Sequence, residues 1–287
     1  MVRKIEMLNK KDFLKFLLMP SHIKPSILSN DNMKIFIDIN KKWNKNIYDN
    51  EFGENYDEIH EYSEENYSNF IIKQNLNQIF KNQKEKIILE IGAGTGYYTV
   101  NYCKYVKKVD AVEIGEDLTK KFKKEINQRQ IKNITIISND IWKFKADKKY
   151  DYILFISTLH HLPLRIKLLK KLLKFLKNNG KIVIIEPHHN LFRKFKLIKD
   201  YLLKYRKKDL ERNKIIWGGH DFLTKNEIKY YTKNLNLKIQ KIFTFFNLLI
   251  PFNNFKTRYF IEKSLGNIPF INNFQQNIVA ILVKNNK

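Results

Sequence analysis

Cysteine is nearly absent from this chain of 287 residues: Cys103 stands alone, which excludes an internal disulfide framework and any cysteine-based zinc cluster and fits a reducing compartment. Long apolar runs are missing as well, since no window reaches the roughly 18 uninterrupted apolar residues of a membrane-spanning helix. The opening Met1–Met19 mixes charged with apolar residues and lacks a small-residue cleavage site, so no secretory signal is read there. A cytoplasmic protein, soluble or at most peripheral to a membrane, is the expectation. Arginine occurs at seven positions and alanine at four, so the net charge of +25 and the pI near 9.8 come almost wholly from lysine. Those lysines are scattered over every segment and read as a solvated surface under compositional drift, which weakens the inference from charge to nucleic acid. Against these scarcities stand 43% hydrophobic and 14% aromatic residues, enough to build a core and to exclude global disorder. The length allows one large domain, or one domain with an elaborate insertion.

Residues 1–85 read as a helical N-terminal cap, with acidic residues gathered between Asp49 and Glu65. Residues 86–287 alternate short apolar runs with longer amphipathic stretches, the pattern of βα units around a parallel sheet. Strands are predicted near Lys86–Ile91, Val109–Glu113, Ile134–Ser138, Tyr152–Ile156 and Lys181–Glu186, with helices near Tyr97–Val106, Glu116–Gln130 and Arg165–Leu176. Asn178-Asn179-Gly180 supplies a turn after the last of these helices. A basic, aromatic-rich helix from Asn190 to Arg212 and a Gly218-Gly219 break mark residues 190–222 as an insertion. Thr224 and Glu227 match a capping box that opens a helix to about Leu235, followed by strands near Lys238–Phe246 and Asn277–Val283. Between these strands, residues 247–274 form a second insertion, long enough to be functional.

The strongest local signal is Ile88-Leu-Glu-Ile-Gly-Ala-Gly-Thr-Gly-Tyr97, a strand that runs into Gly92, Gly94 and Gly96 and then into a helix. Three glycines remove the Cβ atoms that would keep a ligand from the backbone, and the next helix offers free N–H groups. The dinucleotide fingerprint G-x-G-x-x-G fails on spacing, and a P-loop fails because no Gly-Lys-Ser/Thr follows. The bland alternative is a tight turn without a ligand.

This motif resembles the first motif of the class I S-adenosylmethionine-dependent methyltransferases, an acidic residue followed by G-x-G-x-G, here Glu90, Gly92, Gly94 and Gly96. The likeness continues in order to Pro187 and is similar to the subgroup of ubiquinone- and menaquinone-biosynthesis enzymes. It implies an α/β, Rossmann-like fold with a seven-stranded, mostly parallel sheet. It also implies S-adenosyl-L-methionine as cofactor, with S-adenosyl-L-homocysteine as product. Glu113, at a strand end 21 residues after Gly92, would accept the ribose hydroxyls; a solvated strand end is the alternative. Asp140 would face the adenine amine and Ile141 the ring, with a helix N-cap as the competing role of Asp140. Tyr150 to Leu162, with Ser157 against the cofactor and His160-His161-Leu162 at its end, resembles the fourth motif, and Glu186-Pro187 the next element. Trp43–Asp49 loosely resembles the segment that covers the cofactor in that subgroup.

A cationic sulfonium in a chain of +25 calls for a locally acidic pocket, which Glu90, Glu113 and Asp140 supply. His160 and His161 are the candidate acid–base or acceptor-orienting residues, ahead of His188, His189, His220 and Asp221. No i, i+4 histidine pair or HExxH spacing is present, so no metal site is expected. The absence of an N/D-P-P-Y/F/W motif, and Cys103 lying in the first helix, argue against the main forms of base methylation. A small-molecule or lipid-linked acceptor fits better, and the Phe243–Phe255 run beside Lys256 and Arg258 reads either as core strand plus packed loop or as the lining of an apolar acceptor pocket or a contact with anionic lipid. The alternatives are a nucleic-acid or protein methyltransferase using the basic surface, and a noncatalytic RNA-binding module that kept the fold.

Overall fold

The computed structural model describes residues 55–204, 222–245, 254–265, 268 and 271–285. Trp43–Asp49, the Gly218-Gly219 break, His220 and Asp221 lie outside them.

Seven strands form one sheet in the order β3-β2-β1-β4-β5-β7-β6. They are β1 (Gln83–Ile91), β2 (Val106–Glu113), β3 (Ile134–Ser138), β4 (Tyr150–Ile156), β5 (Leu176–Pro187), β6 (Leu237–Phe245) and β7 (Asn277–Lys284). The first five pair in parallel, and β7 runs antiparallel between β5 and β6. The near-continuous apolar runs read as strands because the sheet is buried on both faces. Successive residues then point to opposite cores. Leu89, Ile153, Phe155, Ile182 and Ile184 join one cluster, while Ile88, Leu154, Ile156, Val183 and Ile185 join the other.

Helices α1 (Tyr56–Ile59) and α2 (Tyr67–Phe80) precede the sheet, and Ile71, Leu76 and Phe80 of α2 belong to the second core cluster. Asn66 starts α2 by accepting the Ser68 and Asn69 N–H groups on Oδ1. Between strands run α3 (Thr99–Tyr102), α4 (Glu116–Gln128), α5 (Arg165–Leu172), α6 (Leu191–Lys204), α7 (Lys225–Leu235) and α8 (Phe255–Leu265). Among the described residues no helix is long and apolar enough to cross a membrane.

Three local expectations change. The predicted helix over Tyr97–Val106 is a four-residue helix continued by a 3-10 turn at Cys103–Tyr105, and Arg165–Leu176 likewise tightens at Leu173–Phe175. The Asn178-Asn179-Gly180 turn interrupts β5 instead of preceding it, with Asn179 at φ +58 and the pairing register shifting between Tyr150 and Tyr152. At the capping box, Thr224 Oγ1 accepts the Glu227 N–H at 3.1 Å, but the Glu227 carboxylate turns inward to the Arg165 guanidinium at 2.8 Å. The predicted cap thus forms at its Thr224 half only, and Glu227 instead makes a buried ion pair that joins α7 to the start of α5.

The strand order reverses between β1 and β4, since β2 and β3 lie to one side and β5, β7 and β6 to the other. Ligands of open α/β sheets bind outside the carboxyl ends of strands at such a point.

Candidate functional site

The turn after β1 is shaped by its glycines. Gly92 has φ +67, and a Cβ there would lie 2.3 Å from Thr158 Cγ2. Gly96 has φ +80, and its Cβ would fall 2.1 Å from the Phe122 ring. Both are needed for close packing as well as for left-handed backbone. Gly94, at φ +59, is the position where backbone meets a functional group: its N–H donates to Glu113 Oε2 at 2.8 Å. Glu113 Oε1 accepts the Ile114 and Gly115 N–H groups at 2.8 and 2.9 Å, so the carboxylate is aimed by three backbone donors at the mouth of β2.

Glu90 lies beneath this turn, 2% exposed, with Oε2 accepting from Thr99 Oγ1 at 2.7 Å and from the Tyr102 hydroxyl at 2.8 Å. Burial pushes its pKa up to about 7, with nearby Glu113 adding to the rise and the two hydroxyls opposing it. Asp140 Oδ1 accepts the Trp142 N–H at 2.8 Å and starts the turn after β3. The capping role weighed from sequence is therefore real. It occupies one oxygen and leaves Asp140 on the cavity wall beside Ile141.

The turn after β4 is held more tightly than sequence suggested. Ser157 and Leu164, at φ +48 and +51, bracket it in left-handed backbone that non-glycine residues seldom adopt. Glu186, from the end of β5, is fully buried and anchors the turn from below: Oε1 accepts the Thr158 and Leu159 N–H groups at 2.7 and 2.6 Å, and Oε2 meets His160 Nδ1 at 2.6 Å. Burial raises Glu186 to about 7, against those backbone donors and the Arg165 charge. Arg165 closes the turn from the other side, Nε on the Leu159 carbonyl at 2.8 Å and Nη2 on the His160 carbonyl at 3.1 Å. The His160 and His161 rings lie tilted at 41° to each other, with centroids 3.9 Å apart.

These elements enclose a cavity of about 460 Å³, within the size range of small-molecule sites. Of the residues singled out from sequence, Glu90, Gly92, Gly94, Glu113, Asp140, Ile141, Ser157, His160 and His161 line it. Gly96 does not; it sits behind the turn against Phe122. His188 and His189 are also outside the wall: His188 is buried with Nδ1 3.0 Å from the Gln275 carbonyl, burial pushes it down to about 4, and the His189 N–H donates to the Leu223 carbonyl.

Other wall residues had no sequence signal. Tyr56, His60 and Tyr62 come from the segment around α1, where His60 stacks on Tyr56 at 4.1 Å and burial lowers its pKa. Arg193 and Phe222 close the β5 side, with the guanidinium 4.0 Å above the Phe222 ring centroid. Phe222 was inside the expected insertion, and its position follows from the bridge between His188 and Leu223.

A family model described as a methyltransferase domain matches residues 82–246. Malonyl-[acyl-carrier protein] O-methyltransferase from Priestia megaterium is 32% identical over 114 residues, covering 38% of this chain and 40% of that protein. Protein-L-isoaspartate O-methyltransferase from Alteromonas mediterranea is 35% identical over 104 residues, covering 36% and 46%. The alignment thus spans less than half the length of these curated relatives. Among solved structures, magnesium protoporphyrin IX methyltransferase from Synechocystis PCC 6803, with bound S-adenosylhomocysteine, superposes at TM-score 0.60 with 11% identity over 86% of this chain and all of that one. The plantazolicin methyltransferase BpumL, in complex with S-adenosylhomocysteine, superposes at 0.57 with 18% identity over 92% of this chain and all of its own. At these identities the structures share the fold.

Proposed function

Since the chain belongs to the methyltransferase-domain family and has the class I S-adenosylmethionine-dependent fold, we propose that it transfers a methyl group from S-adenosylmethionine to a small-molecule or lipid-linked metabolite. The observation that carries this reading is one cavity in which the glycine turn, three carboxylates and His160, held from below by Glu186, meet. The residues fit the cofactor: Gly94 leaves backbone bare at the turn, and Glu113, on the cavity wall at the mouth of β2, is oriented by three N–H donors as an acceptor for ribose hydroxyls. Asp140 keeps its second oxygen for an adenine amine, Ile141 offers an apolar surface for the ring, and Ser157 borders the same space. Glu90, ionised above about pH 7, favours a cation in the cavity. S-adenosylmethionine supplies an electrophilic methyl carbon on a sulfonium centre.

His160 acts on the acceptor. With Nδ1 held by Glu186, the ring is fixed in orientation and Nε2 is the nitrogen that takes a proton from an acceptor hydroxyl or acid. His161, its ring tilted against that of His160, orients the acceptor. Residues 1–85 serve as the cap, and 190–222 and 247–274 as the acceptor-side insertions of a cytoplasmic enzyme. The names of the curated relatives as O-methyltransferases support an oxygen acceptor. The protein-L-isoaspartate relatives favour, as a second reading, a protein acceptor.

The test is to incubate the purified protein with methyl-labelled S-adenosylmethionine and fractionated cell extract. Label in the small-molecule or lipid fraction, lost in Glu113→Ala, is expected; label confined to protein or RNA shifts the acceptor class. Salt-dependent RNA binding without label transfer would contradict an enzyme.

A further inference from the structure

We propose that Arg193 anchors an anionic group of the methyl acceptor, a carboxylate or a phosphate, at the His160 end of the cavity. This rests on the methyltransferase reading above and specifies its acceptor. Arg193 is the third residue of α6. Its N–H donates to Asn190 Oδ1 at 2.9 Å, and buried Asn190 is itself tied to the Gln275 carbonyl at 3.1 Å, so the start of the helix is fixed. The guanidinium packs 4.0 Å over the Phe222 ring, which lies 5.3 Å from the His160 ring. Arg193 therefore belongs to the side of the cavity that holds the candidate base.

Its Nη1 is fully buried and has no hydrogen-bond partner among the described residues. A buried guanidinium is ordinarily paired, because desolvation of a charge is otherwise uncompensated. Here burial pushes the group down, to about 10, with no acidic residue among the described residues offsetting it. His188, which burial chiefly holds down, is pushed further by the cations Lys225, Arg193 and Lys194. The cavity is polarised: Glu90, Glu113 and Asp140 stand at the carboxyl ends of β1, β2 and β3, and Arg193, with no acidic partner among the described residues, stands beyond β5. The acidic end suits a sulfonium. The cationic end, a planar fork of N–H donors, suits a carboxylate or phosphate held bidentately.

The experiment is calorimetric titration of the protein saturated with S-adenosylhomocysteine, using malonate in one arm and inorganic phosphate in the other. Wild type, Arg193→Gln and Arg193→Lys are compared. Wild type is expected to bind one of the two anions, the tighter one naming the group. Arg193→Gln should weaken that binding at least tenfold and Arg193→Lys less, while S-adenosylhomocysteine affinity stays within twofold in both. The thermal midpoint of Arg193→Gln without anion should equal or exceed that of wild type, because an unpaired buried charge is removed; a fall would mark a structural role and overturn the proposal. The proposal is also overturned if wild type binds S-adenosylhomocysteine but neither anion, or if Arg193→Gln binds the anion as wild type does. Equal loss of S-adenosylhomocysteine in Arg193→Gln would assign the residue to the cofactor's own carboxylate, again overturning it. Failure of wild type to bind S-adenosylhomocysteine would instead break the underlying methyltransferase reading, and the anion proposal would fall with it.

Discussion

Replacing Glu90 by Gln should make the protein more stable at alkaline pH and a poorer binder of its cationic cofactor. Both hydroxyls that bond Glu90, from Thr99 and Tyr102, converge on Oε2, so an amide oxygen can accept both unchanged. What the substitution removes is titration. Burial holds the folded group at about 7 against an ordinary 4.5, so between these values the folded state binds more protons than the unfolded chain. Stability from this group is complete below pH 4.5 and is lost as pH rises through 7. The full span corresponds to about 3 kcal/mol, and about 2 kcal/mol of it falls between pH 5.5 and 8.5. Urea denaturation at several pH values across that interval measures it directly. The stability gap between Glu90→Gln and wild type should widen by about 2 kcal/mol from the acid to the alkaline end. Curves that stay parallel would refute the reasoning, because they would mean Glu90 titrates alike folded and unfolded. Loss of S-adenosylmethionine affinity should accompany the gain, with S-adenosylhomocysteine, which lacks the sulfonium charge, less affected.

Gly96→Ala places a Cβ 2.1 Å from the Phe122 ring in left-handed backbone and should destabilise by about 3 kcal/mol, read as a fall in the urea midpoint with unchanged slope. Arg165→Met strands the buried Glu227 carboxylate and should cost about 3–5 kcal/mol, much of it recovered when Glu227→Leu is added. Glu186→Gln turns the donor toward His160 Nδ1, which leaves the proton on Nε2. Turnover should drop about 100-fold or more while S-adenosylhomocysteine affinity is unchanged, and a parallel loss of affinity would place the pair in cofactor binding instead.

The sheet was largely readable because strands buried on both faces must be apolar almost continuously, as in Tyr152–Ile156, and because the glycine turn follows one of them directly. The cavity wall was readable at strand ends: Glu90, Glu113, Asp140 and Ser157 reach one cavity because β1 to β4 end together. The His160–Glu186 contact spans 26 residues and follows from the pairing of β4 with β5, so strand adjacency was the signal that could have disclosed it. Tyr56, His60 and Tyr62 gave no such signal, since short aromatic segments before a sheet carry no periodicity that fixes where they pack. Arg193 was hidden for a different reason. In a chain of +25 one more cation on an amphipathic helix reads as solvated, and only burial over Phe222 distinguishes it. Helix Phe255–Leu265 fell within a segment read as an insertion, because its mixed polar and aromatic residues present no clean apolar stripe.

The central claim is that this cavity binds S-adenosylmethionine through Glu113. Calorimetric titration of wild type and Glu113→Ala with S-adenosylmethionine and with S-adenosylhomocysteine tests it most directly. The account predicts stoichiometric binding of both by wild type and loss of both in the variant. An intact protein that binds neither, alone or with candidate acceptors present, would contradict it.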